Sequence, residues 1–200
     1  MIKQDLSTIE NRQAQGFRFL LCDTTSNLDE QSSFGEEWVA SPIQCLDKAV
    51  DGRPGIIVIR FGNMPIRERE ALVELCAALK RNSHTRQCPV LALLHSKHRK
   101  LIEELEQAKV DYIRYLGGDK LDSTRLKDII DGLGPNDRLE RHLARICPFL
   151  HYRKIDAQHE MTVCGACRDR MVIGGRWLHE ICHTRDHLHC EYYLNPRLKA

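Results

Sequence analysis

The sequence predicts an α/β protein: a doubly wound, five-stranded parallel sheet, followed by a small Cys/His-rich C-terminal module. Three observations carry that expectation. Short apolar runs alternate with segments of helical period over residues 17–134, the pattern of a layered α/β domain. The runs Gly55 to Ile59 and Cys88 to Leu94 are continuously apolar rather than alternating, as parallel strands covered on both faces are. Five of the nine cysteines fall after residue 146, where helical periodicity fades.

Residues 1–16 are polar, carry little pattern and form an N-terminal extension. Phe17 to Cys22 reads as a buried strand ending at Asp23, and Trp38 to Ala40 as a weaker one. Pro42 to Val50 has helical spacing through Ile43, Leu46 and Val50. After the strand at Gly55 to Ile59, Met64 and Pro65 open a helix whose apolar positions are Ile66, Leu72, Val73, Cys76 and Leu79. Pro89 to Leu94 is the fourth strand. Lys97 to Ala108 is a helix with Leu101, Ile102 and Leu105 on one face, and Tyr112 to Leu116 is the fifth strand. Ser123 caps a helix through Ile130, which Gly132, Gly134 and Pro135 end. A linking helix is expected within 135–146, with Leu139, Leu143 and Ile146 on one stripe. The module then occupies 147–200.

Composition narrows the class. With 42% hydrophobic residues the chain can build a core, and a net charge of +2 gives no global argument for nucleic-acid or membrane binding. The apolar runs are too short to span a bilayer, and the polar N-terminus has no secretory core, so a soluble cytoplasmic protein is expected. No Gly-rich dinucleotide fingerprint follows the first strand, and no phosphate-binding loop motif is present.

Met64-Pro65 after the third strand, Cys88 to Leu94, and Ala108 to Ile113 together resemble the receiver domains of bacterial response regulators over about residues 17–133. The resemblance implies a flavodoxin/receiver-like sheet with its chemistry at the carboxyl ends of the strands. It also implies a phosphorylatable Asp three residues before the Met, where this chain has Phe61, preceded by Arg60. The acidic pair that would hold Mg²⁺ after the first strand reads Cys22-Asp23, and the lysine at the end of the fifth strand is replaced by Tyr115. The fourth-strand hydroxyl falls near His95 or Ser96. The expectation is therefore a pseudo-receiver that acts by packing and protein contact. Receivers often pair through their later helices and strand, which makes a homodimer an expectation by analogy. Asp23 reads as a turn residue or helix cap. Cys22, Cys45, Cys76 and Cys88 read as inert buried thiols, and His84, His95 and His98 as solvent-facing or capping residues.

The 54 residues from Cys147 hold five Cys and six His and few large apolar side chains. Such a segment needs a disulfide, a metal or a partner surface to fold, and a reducing compartment disfavours the disulfide. Candidate metal ligands are Cys147, Cys164, Cys167, Cys182, Cys190 and His187, with His183 as a substitute four residues from His187. Cys164-Gly165-Ala166-Cys167 has the spacing of a zinc knuckle that Cys182 and Cys190 would complete. A second grouping, Cys147, Cys164, Cys182 and Cys190, would suit an iron–sulfur cluster, with Pro148 after the first thiol. Spacing does not separate the two. Trp177, Leu178 and Ile181 are expected to pack around the centre.

A non-enzymatic signalling or adaptor protein with a protein partner is the leading expectation, with redox or metal sensing through the module. The alternatives are a thiol- or metal-dependent redox enzyme and a nucleic-acid-binding regulator. Arginines and aromatics in the module favour the last, but interleaved Asp169, Glu180, Asp186 and Glu191 make a solvated mixed-charge face.

Overall fold

In the computed structural model, residues 18–25, 36–117 and 121–197 are described; the N-terminal extension and Phe17 lie outside them. Strands β1 (Phe19–Cys22), β2 (Glu36–Val39), β3 (Ile57–Phe61), β4 (Val90–Leu94) and β5 (Tyr112–Tyr115) form one sheet in the order β2-β1-β3-β4-β5. Every neighbouring pair is parallel. The chain thus builds outward from β1 in both directions, the doubly wound arrangement expected of a flavodoxin/receiver-like fold.

Alternate residues of the strands feed opposite faces. Leu20, Ile57, Ile59, Ala92 and Leu94 pack on helices α1 (Pro42–Gly52), α2 (Ile66–Arg81) and α3 (Arg99–Gln107). Phe19, Leu21, Val58, Leu91 and Leu93 face α4 (Ser123–Asp131) through Leu126. The stripe that α1 buries is Cys45 and Ala49, flanked by Leu46 and Val50; Ile43, expected on that stripe, is 75% exposed. Helix α4 is capped by Asp122, which accepts from Arg125 N at 2.8 Å, rather than by Ser123. The Ser123 hydroxyl instead donates to the buried Glu36 on β2, which also pairs with Lys127.

The linker is shorter as a helix than its periodicity suggests. A 3₁₀ turn (Pro135–Asp137) precedes α5 (Leu139–Leu143). Asp137 accepts from Gly134 N and pairs with Arg114 of β5, and Arg138 bridges to Tyr112, so the chain is pinned to the sheet edge before a longer helix can start. At the far end the Arg99 guanidinium donates to the carbonyls of Ile146, at 2.6 Å, and Leu143.

Beyond Cys147 lies a second, antiparallel sheet that periodicity did not reveal: β6 (Leu150–Lys154), β7 (Glu160–Cys164) and β8 (Met171–Val172), in that order. Most residues of β6 are exposed or half-buried, so no alternating apolar signal is written into it. A short α6 (Gly175–Trp177) runs into a π turn (Leu178–Cys182), then a 3₁₀ turn (Arg185–His189) and α7 (Glu191–Leu194). Trp177 is 47% exposed and is not part of the module's core.

The partner surface that the module needs is the sheet domain itself. Leu139, Ile146, Cys147, Leu150, Cys164 and Cys182 join the apolar cluster that contains α2 and α3. A polar clasp closes the seam. Tyr152 of β6 stacks on His98 at 3.6 Å, and its hydroxyl accepts from Arg99 N at 3.0 Å. Glu160 of β7 receives Arg69 of α2 at 2.7 Å and His98 Nε2 at 3.0 Å. His98 Nδ1 caps α3 by accepting from Leu101 N, as its capping role anticipated, which leaves the ring proton on Nε2. Helix α3 packs against α5 and β6, and Arg138 bridges the β5 edge.

Burial, then the neighbouring Arg69, pushes His98 down to about 4, against the opposing pull of Glu160. Tyr152, also at the clasp, is neutral throughout this range, and His183 is held neutral by its own burial. The unfolded chain binds a proton at His98 near pH 6.5 and the folded chain only near pH 4, so stability falls as pH falls through that window. Unfolding free energies from urea titration between pH 7 and 4.5 should drop by roughly 1 kcal/mol per pH unit for each of His98 and His183, and His98→Gln should remove about half of that slope; an unchanged slope in the variant would assign it elsewhere.

Candidate functional site

The strand ends carry the row where receiver chemistry would reside. Phe61 is level with Leu94, and Leu94 with Tyr115. The fourth-strand position in this row is therefore the fully buried Leu94, not His95 or Ser96, and no hydroxyl survives there. Tyr115 turns its ring edge toward His142, with centroids 5.3 Å apart, and joins the apolar cluster.

Asp23 follows β1 with its side chain 1% exposed. Its carboxylate accepts from Thr25 N at 2.9 Å and Thr25 Oγ1 at 2.7 Å, an Asx turn of the expected kind. It also pairs with the Arg60 guanidinium at 2.7 Å. Arg60 is the residue before the phosphoacceptor position, and it brings a covalently attached cation to the carboxylate that would otherwise face Mg²⁺. The strand-end cavity, about 300 Å³, is lined by Thr25, Arg60, Phe61, Gly62, Asn63 and His95, among others. His95 Nδ1 is held by Gly117 O at 3.0 Å. Nothing in the sequence signalled that Arg60 and Asp23, 37 residues apart, would pair.

The four cysteines of the sheet domain, far apart in sequence, meet in its core. Cys22, Cys45 and Cys76 are fully buried, and the Cys22 and Cys45 thiols are hydrogen-bonded to each other. That contact and then burial push Cys45 far up; burial raises Cys76, and raises Cys88 to about 11. They are inert thiols, as their apolar context indicated.

The module assembles a second thiol group. Cys147 N donates to Cys182 O at 2.8 Å. Leu150 pairs with Cys164 across β6 and β7, and Gly165 N donates to Phe149 O at 2.7 Å. α7, which follows Cys190, packs on the Gly165–Cys167 turn, and Arg197 N donates to Ala166 O. These bonds place Cys147, Cys164 and Cys190 near enough to Cys182 for each to act on its ionisation. Cys182 feels all three others: burial first, then the neighbouring sulfurs, push it up to about 12. Burial also raises Cys147 and Cys164, but backbone N–H groups oppose it: that of Phe149 at the Cys147 sulfur, and those of Cys167 and Ala166 at the Cys164 sulfur. Gly165 is required in this turn, because a Cβ there would lie 2.4 Å from the His151 ring.

Cys167 is half-buried beside Cys164. His187 is buried and donates from Nδ1 to Thr184 O at 2.6 Å, leaving Nε2 as an unprotonated donor atom. His183 does not share a face with it, since the chain between them breaks to an extended Thr184 (φ −131°, ψ 175°). His183 lies instead near Lys97 and His179, and burial holds it down at about 4. All nine cysteines carry free thiols. Among the described residues no group of three or more His, Cys, Asp or Glu side chains stands arranged to hold a metal ion, so the thiols are gathered without being closed into a cage.

Neither a protein-family model nor a curated protein sequence matches the chain. Solved structures resemble its sheet domain. A response regulator from Desulfuromonas acetoxidans is 24% identical, with a TM-score of 0.40, over 57% of this chain and 94% of its own. The chemotaxis response regulator CheY4 of Vibrio cholerae is 19% identical, with a TM-score of 0.45, over 59% and 99%. The phosphorylated cyanobacterial phytochrome response regulator RcpA is 18% identical, with a TM-score of 0.39, over 61% and 94%. The fold assignment rests on the sheet order itself. Among the described residues no helix is long and apolar enough to cross a membrane.

Removing the guanidinium from so buried a carboxylate is costly. Arg60→Ala should lower stability by about 3 kcal/mol in urea titration, with Asp23→Asn, Arg60→Ala recovering part of the loss. A single variant as stable as the parent would show that the pair contributes nothing to the strand-end site.

Proposed function

We propose that the chain is a non-enzymatic signalling or adaptor protein, whose receiver-like sheet acts by protein contact and whose C-terminal module is held by a metal centre at Cys147, Cys164, Cys182 and Cys190. One observation carries the metal reading: four thiols converge in one place, with backbone N–H groups directed at two of the sulfurs. Such amides stabilise thiolate over thiol, and the thiolate is the form that binds metal. An all-sulfur donor set suits a closed zinc site or an iron–sulfur cluster, and the four residues are the widely spaced set. Cys167 and His187 flank this set as reserve donors.

The chemistry available favours a structural over a catalytic centre. Four thiolates leave no open position for water, and Glu180, two residues before Cys182, is engaged on the surface with Arg176 at 2.6 Å. At the strand ends the observation that supports a contact role is the row Phe61, Leu94 and Tyr115, which offers no acceptor for a phosphoryl group. Protein contact is then the function left to the sheet, with the metal-bound module fixing the shape of the surface beside α3.

Elemental analysis and a visible spectrum of anaerobically purified full-length protein test the reading. About one zinc per chain without colour identifies a closed thiolate site; iron with sulfide and broad absorption near roughly 400 nm identifies a cluster and a redox- or gas-sensing role. Cys182→Ser should lose the metal and melt the module while the sheet domain stays folded. Metal-free parent protein with the same melting curve as the variant would sink the proposal.

A further inference from the structure

A second concavity lies on the seam between the two parts, beside Cys182 and Tyr115. A cavity of about 380 Å³ is lined by Lys97, from the β4–α3 loop, Arg145, from the end of the linker, and His183, Thr184 and Arg185 of the module. No carboxylate lines it. Among the described residues Lys97, Arg145 and Arg185, all exposed, form no ion pair, although the chain carries 28 acidic residues. Lys97 Nζ reaches only the His183 carbonyl, at 3.3 Å, and the face of Tyr115, 5.9 Å from the ring centre. Two buried polar atoms close by, the Tyr115 hydroxyl and His142 Nε2, have no hydrogen-bond partner. The positive field is felt by its neighbours: Arg145 and Lys97 both disfavour a proton on His142, and Lys97 does so on His183.

Three unpaired cations converging on one concavity repel one another, and a fold retains such an arrangement at a cost unless an anion completes it. We propose that this seam cavity binds a phosphate-bearing small molecule, with Lys97, Arg145 and Arg185 as its cationic clamp. Arginine offers paired N–H donors to phosphate oxygens and lysine adds a point charge. The volume exceeds a bare phosphate and falls within the range of small-ligand sites. The lining residues include no Phe, Tyr or Trp, so recognition runs mainly through the phosphate rather than a stacked base. The clamp draws one cation from the sheet domain, one from the linker and one from the module, so a bound anion ties all three together.

Pyrophosphate is the probe. Titration calorimetry and thermal melting of the full-length chain at constant ionic strength should give a saturable isotherm and a rising midpoint. Arg145→Gln and Arg185→Gln should each weaken binding by about tenfold or more, as loss of a charge-assisted hydrogen bond implies, while Arg176→Gln, exposed, paired with Glu180 and outside the lining, should not. Arg145 and Arg185 are exposed and free of structural contacts among the described residues, so these variants fold. A midpoint shift reproduced by chloride, or binding undiminished in both variants, would overturn the proposal. So would tight binding of an oligonucleotide that pyrophosphate fails to displace, which would make the clamp part of a nucleic-acid surface.

Discussion

The C-terminal 54 residues depend on a surface they do not supply. Their strands are short and mostly exposed, and their largest aromatic, Trp177, faces solvent. What gives them one position is the seam with α2 and α3: a shared apolar cluster, closed at its rim by the clasp of His98, Tyr152, Glu160 and Arg69. Both thiol convergence and the cationic cavity follow from that docking. Cys147 is placed by the linker that Arg99 anchors, and Lys97 reaches His183 only because β6 lies against α3. An apolar seam alone would tolerate sliding. The directional bonds to Glu160 and Tyr152 fix the register, in the way that polar groups at an apolar interface specify geometry more than they add affinity.

Much of the sheet domain was legible because its signals are local. Continuous apolar runs marked β3 and β4, and helical period marked α2 and α3, each within a few residues of the observed ends. The errors have identifiable causes. Ile43 fell on the helical spacing but outside the stripe that the sheet selects, since Cys45 and Ala49 are small enough to let α1 approach closely. Ser123 looked like a cap because Asp122 directly before it does the capping. The row Phe61, Leu94 and Tyr115 is a matter of strand register, which no single strand's sequence contains, and so the expected hydroxyl was placed one or two residues late.

The candidate sites were legible as residue types and illegible as arrangements. Spacing picked out the cysteines of the module without choosing among them. The choice comes from the pairing of β6 with β7 and the bond from Cys147 to Cys182, both long-range. The Arg60–Asp23 pair was hidden for the same reason, since 37 residues separate the partners. The pair has a physical logic: a carboxylate buried by the fold needs a counter-charge, and Arg60 on β3 supplies one.

The two groups of cysteines occupy environments of very different depth. Cys22, Cys45 and Cys76 of the sheet lie fully buried beneath α1 and α2, where a reagent reaches them only when the domain opens. In the module Cys167 and Cys190 are already half-buried, and Cys147, Cys164 and Cys182 lie at a seam that must merely part. The chain therefore carries an internal gauge of its own opening, in which the order of thiol labelling distinguishes undocking of the module from collapse of the sheet without any dye or fusion added to it.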